Sequence, residues 1–264
     1  MADQRNDSMT TLAQILAAAT PTDSGLRAVI PANWMQGRTA YGGLSAALAL
    51  HAAQQSEADL PPLRSAQIAF IGPLAGEVTT AATRLRRGRN AAFIQADVSS
   101  DAGLGLRATF IFMAPLASQV AHDAAPPAPR KPPPADAALH TGDPGFFTSN
   151  FELFDDGSEL APAEWLRWAR LRDRSILDPM VELMAIGDGL PPAALKLFAG
   201  FQPLSSLNWT VNFVDPAPAT RDGWWLLSAR TDRAANGYSS QRMTIWNADG
   251  SLVAEAMQGV AIFA

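Results

Sequence analysis

Two hydrophobic rhythms alternate along this chain. Leu12 to Ala19 reads as a short helix and Leu26 to Pro31 as a first strand, with Ala32 to Arg38 a loop after it. From Tyr41-Gly42-Gly43 to about Gln55 the residues are mostly Ala and Leu and apolar nearly all round, which predicts a helix buried on most sides. Its small side chains would let a sheet wrap closely around it. The rhythm then changes to period two, the signature of half-buried strands. Gln67 to Ile71 and Glu77 to Arg84 alternate, Ala91 to Val98 and Leu106 to Met113 follow, and Gly88 and Gly103 stand where tight turns are needed. Residues 116–145 break both rhythms. Ala125-Pro126-Pro127, Pro129 and Pro132-Pro133-Pro134 predict a Pro/Ala-rich linker, semi-rigid and extended.

Beyond the linker the same plan returns. Phe146 to Phe154 resumes order. Glu164 to Arg170 fits either period, and its place ahead of a helix, matching Leu26 to Pro31, favours a strand. Asp178-Pro179 is a helix start, an acid at the N-cap and proline at the first helical position. Met180 to Ile186 continues that helix, and Gly187, Gly189 and Pro191-Pro192 end it. Strand-like runs then cover Trp209 to Val214, Trp224 to Thr231, the stretch to Trp246, and Leu252 to Phe263. Phe70 and Pro73 recur 143 residues on as Phe213 and Pro216, and Gly76 and Gly103 recur 147 on as Gly223 and Gly250. A period this long predicts a duplicated half-molecule, not a solenoid. The expected units are 1–115 and 146–264, joined by 116–145, each a helix followed by a curved antiparallel sheet.

A hydrophobic fraction of 48% over 264 residues supports a substantial core. The net charge of −5 argues against a nucleic-acid partner, for which a basic face would be expected. With no cysteine, there is no disulfide, thiol nucleophile or thiolate metal site. No apolar run reaches the roughly 18–20 residues of a spanning helix, and Met1 to Thr10 is polar without a signal-peptide pattern. The expectation is a cytoplasmic protein without a membrane partner.

Chemistry enters through four segments: Tyr41-Gly42-Gly43, Met184-Ala185-Ile186-Gly187-Asp188 closing a helix, Ser206 to Phe213 on a strand, and Gly250 to Val260 near the C-terminus. In that order and spacing, from about Leu26 to Phe263, they resemble the acyl-CoA thioesterase II family. The resemblance implies an α+β double hotdog, two long helices each wrapped by an antiparallel sheet. It also implies an acyl-CoA substrate, no metal or redox cofactor, and a homodimer or higher homo-oligomer. In that family an Asp, a Thr or Ser and a Gln hold a water against the thioester carbonyl; here they fall on Asp188, Ser206 and Gln258. Asn208 stands where many relatives have Asp. A carboxylate can take the proton of an attacking water, and a hydroxyl and an amide can fix that water. Tyr41, Gly42 and Gly43 are the expected substrate-binding residues, the glycines allowing close approach and the helix start offering N–H groups to an oxyanion. The 147 spacing sets Gln258 opposite Ile111 of the first half, an amide against an apolar residue.

Blander readings stand beside these. Asp188 also suits an ordinary helix-end turn, Ser206 a strand hydroxyl, and Gln258 a buried amide with structural partners. Gly43-Leu44-Ser45-Ala46-Ala47 lacks the second glycine of a nucleophile elbow and has no strand leading into it. Asp155-Asp156-Gly157-Ser158-Glu159 lacks the spaced ligands of a calcium loop, and Gly103-Leu104-Gly105 lacks the third glycine of a dinucleotide motif. Arg86, Arg87 and Arg89 read as a solvated hairpin tip or as a contact to coenzyme A phosphates. Two other functions fit the same resemblance: an acyl-CoA or lipid binder without turnover, and an acyl-CoA hydratase or dehydratase, for which His51, His122 and His140 are poorly placed.

Overall fold

The computed structural model describes residues 9–200 and 202–263; most of the polar stretch from Met1 to Thr10 lies outside the described residues. Helix α1 (Leu12–Ala18) opens with a capping box between Thr11 and Gln14. Strands β1 (Thr20–Thr22) and β2 (Gly25–Val29) follow. Ala32 to Arg38, expected as a loop, holds a 3-10 turn at Ala32–Trp34 and the short ladder β3 (Met35–Gln36) with β4 (Thr39–Ala40). Helix α2 (Gly42–Gln55) keeps the predicted bounds. Strands β5 (Leu63–Phe70), β6 (Glu77–Arg87), β7 (Ala91–Ser100) and β8 (Gly103–Met113) complete the first half.

The second half contains β9 (Phe151–Phe154) and β10 (Glu164–Leu171), so the ambiguous Glu164 to Arg170 run is a strand. Helix α3 (Pro179–Gly187) has nine residues against fourteen in α2, so the second helix is short rather than long. It starts where the Asp-Pro pair requires: the Asp178 carboxylate accepts from the N–H groups of Met180 and Val181. It stops at Asp188, before Gly189 and the prolines. Strands β11 (Leu204–Phe213), β12 (Trp225–Ala235), β13 (Tyr238–Asn247) and β14 (Leu252–Ile262) end the chain.

All but the β3–β4 ladder join one 12-stranded sheet in the order β1-β2-β6-β7-β8-β5-β11-β14-β13-β12-β10-β9. The order is a palindrome of the duplication: β5 answers β11, β8 answers β14, β7 answers β13, β6 answers β12 and β2 answers β10. Gln67 pairs with Thr210, 143 residues away, so the two-fold relation runs between equivalent residues of β5 and β11. Irregularities recur with the repeat. The β5 shift at Leu63/Ser65 returns at Ser206/Asn208, and the β6 shift at Arg84/Arg86 returns at Thr231/Arg233. A bulge is a local backbone solution to strand bending and twist; its recurrence shows the halves share backbone geometry as well as sequence.

Register also corrects one correspondence. Ala66 pairs with Phe110 in the first half, and its counterpart Trp209 pairs with Gln258 in the second. Gln258 is therefore opposite Phe110, not Ile111. The turn from Asn247 to Gly250 and beyond is one residue longer than the Ser100–Gly103 turn, and this moves β14 one step further on. In a strand one step changes the face: Phe110 is fully buried, whereas Ile111 is only partly so.

The sheet wraps a core centred on α2, where Leu44, Ala46, Ala47, Leu48, Ala49 and Leu50 are all buried. Each fully buried leucine contributes about 1.5–3 kcal/mol. Small residues bring the helices together: a Cβ on Gly43 would sit 2.6 Å from the Ala185 carbonyl oxygen of α3. The linker lies on the outer face of the second half, with the Trp246 indole donating to the Pro126 carbonyl at 2.9 Å and Ala128 packed beside Trp246 and Leu252. Among the described residues no helix is long and apolar enough to cross a membrane.

Candidate active site

The two ends of the helix pair are not equivalent. At the start of α3 the Asp178 side chain occupies the first N–H groups, and Pro179 has none to offer. His51 and Gln54, at the end of α2, face this point: Gln54 donates to Asp178 at 3.2 Å, and half-burial pushes the His51 pKa down against the opposing pull of Asp178. At the start of α2, Tyr41 is the N-cap and makes no side-chain cap bond, so the first-turn N–H groups are left for partners outside the helix. The residue facing them from the end of α3 is Asp188.

Asp188 lies deep among protein atoms, yet the residue keeps a partly solvent-reachable surface. Burial pushes its pKa up to about 7, against the opposing effects of the Gln258 amide and the Gly43 N–H. The carboxylate is oriented by Gln258, whose Nε2 donates to Oδ1 at 2.8 Å. The second oxygen, Oδ2, lies over Gly42, where a Cβ would approach it to 2.6 Å. Gly42 thus provides room for the carboxylate, and Gly43 provides room for the α3 backbone. The positive end of α2 favours negative charge here, so Asp188 can ionise near neutrality.

Gln258 and Gly42, Gly43 converge on Asp188; Ser206 and Tyr41 relate to it differently. Ser206 pairs with Val260, and the bulge after it sets it on the face that carries Gln258 and Trp209. It is partly buried and makes no hydrogen bond to Asp188 or Gln258. The Tyr41 side chain is in the core. It stacks on Phe147 with centroids 4.0 Å apart, and its hydroxyl donates to the Ala185 carbonyl at 2.9 Å. Burial, and then the neighbouring Asp188 charge, push its pKa well up, so it stays neutral. Its side chain fastens α2 to α3, which leaves only its backbone for substrate. Asn208 accepts the Gly259 N–H at 2.9 Å on the opposite face of the sheet, filling the bond that the bulge disrupts.

Gln241 on β13 was not among the residues singled out from sequence. It is buried and donates from Nε2 to Gln258 Oε1 at 2.7 Å. No local signal marks it, because it stands in the polar run Ser239-Ser240-Gln241-Arg242. Its first-half counterpart, 147 residues earlier, is the buried Ile94. The remaining candidates are tied up in ordinary contacts. Asp155 pairs with Arg167 and Asp156 with Arg130, and Arg87 at the hairpin base reaches Glu57 and the Asp59 carbonyl.

Comparison with known proteins follows this division into halves. An acyl-CoA thioesterase N-terminal domain family matches residues 30–113, and an acyl-CoA thioesterase C-terminal domain family matches residues 122–262. Three solved structures share the architecture. A thioesterase II candidate from Thermobifida fusca is 18% identical with a TM-score of 0.82, covering 97% of this chain and 99% of that one. A hot dog fold protein of unknown function from Alicyclobacillus acidocaldarius is 21% identical with a TM-score of 0.81, covering 95% and 97%. A tesB protein from Mycobacterium avium subspecies paratuberculosis is 20% identical with a TM-score of 0.78, covering 96% and 100%. At these identities the likeness establishes the hotdog fold. No curated protein matches by sequence.

Proposed function

We propose that this chain, which belongs to the acyl-CoA thioesterase family, hydrolyses an acyl-CoA thioester to the free acid and coenzyme A with Asp188 as the water-activating carboxylate. The observation that carries this reading is a carboxylate with a pKa near 7, oriented by Gln258, facing the glycine start of a helix whose N-cap side chain makes no cap bond. A base with that pKa is mostly ionised just above neutrality and still basic enough to accept a proton from water. Water held between Asp188 and Ser206 would attack the thioester carbon, its proton passing to the carboxylate. The oxygen that becomes negative would meet N–H groups of the first turn of α2, fixed dipoles that need no reorganisation. Collapse of the tetrahedral intermediate breaks the carbon–sulfur bond. The proton on Asp188 goes to the leaving thiolate, and no covalent enzyme intermediate forms.

The same reading divides the chain into a double hotdog of units 1–115 and 146–264 around the linker 116–145, with one water-activating site per chain. Hydration or dehydration would call for an acid–base pair, yet His51 lies at the opposite end of the helix pair, beside Asp178. A homodimer or higher homo-oligomer belongs to this proposal as a family expectation and a cytoplasmic setting as an expectation from the sequence, and Arg86 and Arg89 are offered as contacts for coenzyme A phosphates.

Free-thiol release from a panel of short, long and aromatic acyl-CoAs tests the reaction. A kcat/KM that rises with pH through about 7 and then levels is expected if ionised Asp188 is the base. No release from any member would count against hydrolysis. Saturable acyl-CoA binding without release would instead identify a binder.

A further inference from the structure

We infer that Gln241 is a positioning residue: it fixes the orientation of the Gln258 amide so that Gln258 always presents a donor to Asp188. This rests on the thioesterase reading for its catalytic consequence, but the geometry behind it is independent of substrate.

The chain of contacts starts at a backbone group. Ala193 opens the 3-10 turn Ala193–Leu197, and its N–H has no partner within that turn. Ala193 is fully buried, so the N–H requires an acceptor. It donates to Gln241 Oε1 at 2.8 Å. A backbone N–H can only donate, so the end of the Gln241 amide facing it must be the oxygen. Its Nε2 then faces Gln258 Oε1 at 2.7 Å, with Met243 Sδ its second contact at 3.6 Å. Gln258, accepting on its oxygen, must turn Nε2 to Asp188, where the distance is 2.8 Å. Flipping either amide would set oxygen against oxygen and hydrogen against hydrogen. The relay has one permitted direction, and it is set at the Ala193 end.

A lone Gln258 would lack this constraint. A protonated Asp188 could donate to a flipped Gln258, and the pair would settle in the neutral form. Gln241 closes that route and favours the carboxylate. The duplication supports a joint origin: the counterparts of Gln241 and Gln258 in the first half are the buried Ile94 and Phe110, so both amides occur in the half that carries Asp188 and neither in the other. Other groups on this face of β11, β13 and β14 are uncharged: Ser206, Trp209 and Met243. The titratable neighbour is Tyr41 at the start of α2, neutral throughout the relevant range.

The test is a carbon-13 NMR titration of the Asp188 carboxyl, assigned by its loss in Asp188→Asn, in wild type, Gln241→Met and Gln241→Glu. Loss of one charge-assisted donor is expected to raise the Asp188 midpoint by about one pH unit in Gln241→Met. Gln241→Glu keeps the shape and the bond from Ala193 but draws Gln258 Nε2 to itself, so an equal or larger rise is expected; it decides the matter if the Met variant does not fold. With acyl-CoA, kcat at pH 7 should fall about tenfold with KM unchanged, and the pH profile should move with the NMR midpoint. A midpoint unmoved in a folded variant overturns the proposal, including where kcat falls, because a packing role alone would lower activity and leave the titration in place. If wild type releases no thiol, the thioesterase reading fails, and the NMR midpoint still decides the role of Gln241.

Discussion

Replacing Asp188 with asparagine is expected to cut thiol release by about 10²–10⁴-fold while making the folded protein more stable above neutral pH. The two effects share one cause. The folded pKa of Asp188 is about 7 against an ordinary 3.8, because burial opposes the charge. Between those values the folded protein holds a proton that the unfolded chain has released. Stability therefore falls as pH rises through the window from about 4 to about 7 and levels off above it. The cost is fully present at pH 8 and nearly absent below pH 4. Asparagine keeps an oxygen to accept from Gln258 Nε2 and never carries the charge, so the cost disappears. The Tm advantage of Asp188→Asn over wild type should widen from pH 4 to pH 7 and stay constant beyond. A chain of this length gains about 2–4 °C for each kcal/mol. A variant that hydrolyses at the wild-type rate would remove Asp188 from the mechanism. A Tm difference independent of pH would mean the carboxyl is not held near 7.

Much of the fold was legible because local chemistry and global packing agree. Tyr41-Gly42-Gly43 and the Ala/Leu run after it fixed α2 within a residue, since that helix is apolar on every side and has no competing period. The Asp178-Pro179 start fixed α3 for the same kind of reason, a side chain satisfying the N–H groups it precedes. Glu164 to Arg170 was decided only by its place in the duplication, because Trp and Arg suit either period there. What sequence did not reveal was register. The one-residue difference between Ile111 and Phe110 depends on the length of the turn before β14, and no local pattern in β8 or β14 reports it.

The site divides in the same way. Asp188 and Gln258 were reachable through the family resemblance, which sets its Asp at the end of the second apolar helix and its Gln in the last strand; the local pattern alone suited a helix-end turn and a buried amide equally well. Tyr41 was read for its position beside the glycines, and only the packing shows its hydroxyl turned to the Ala185 carbonyl. Gln241 sits among Ser239, Ser240, Arg242 and Thr244, a strand where an amide attracts no notice. Its importance comes from a backbone N–H forty-eight residues away in sequence, and that contact exists only once the 3-10 turn at Ala193 is folded onto β13.

The neighbouring glycines separate catalysis from packing, and Gly42→Ala should show it. The Gly42 backbone is compatible with alanine, which is a better helix former by about 1 kcal/mol. The obstacle is what the new methyl would meet: Asp188 Oδ2 at 2.6 Å and the edge of the Phe70 ring at 2.9 Å. Both are side-chain atoms, so the helix can stay in place while the carboxylate is pushed away from Gln258 and from the α2 start. Misplacing a reacting group by about 1 Å costs roughly 10²-fold in rate, and a loss of that size in kcat with a Tm within a few degrees of wild type is expected. Gly43→Ala meets the Ala185 carbonyl oxygen, also at 2.6 Å, and the Tyr41 ring. A backbone oxygen cannot step aside, so α2 and α3 must separate. Overpacking of this kind destabilises by about 1–3 kcal/mol, and the expected result is a clear fall in Tm with activity lost in step. Thermal melts and kcat measured together distinguish the two. Equal Tm losses in both variants would show that Gly42 serves the packing of the helix pair, and that the space over Asp188 is incidental to the carboxylate.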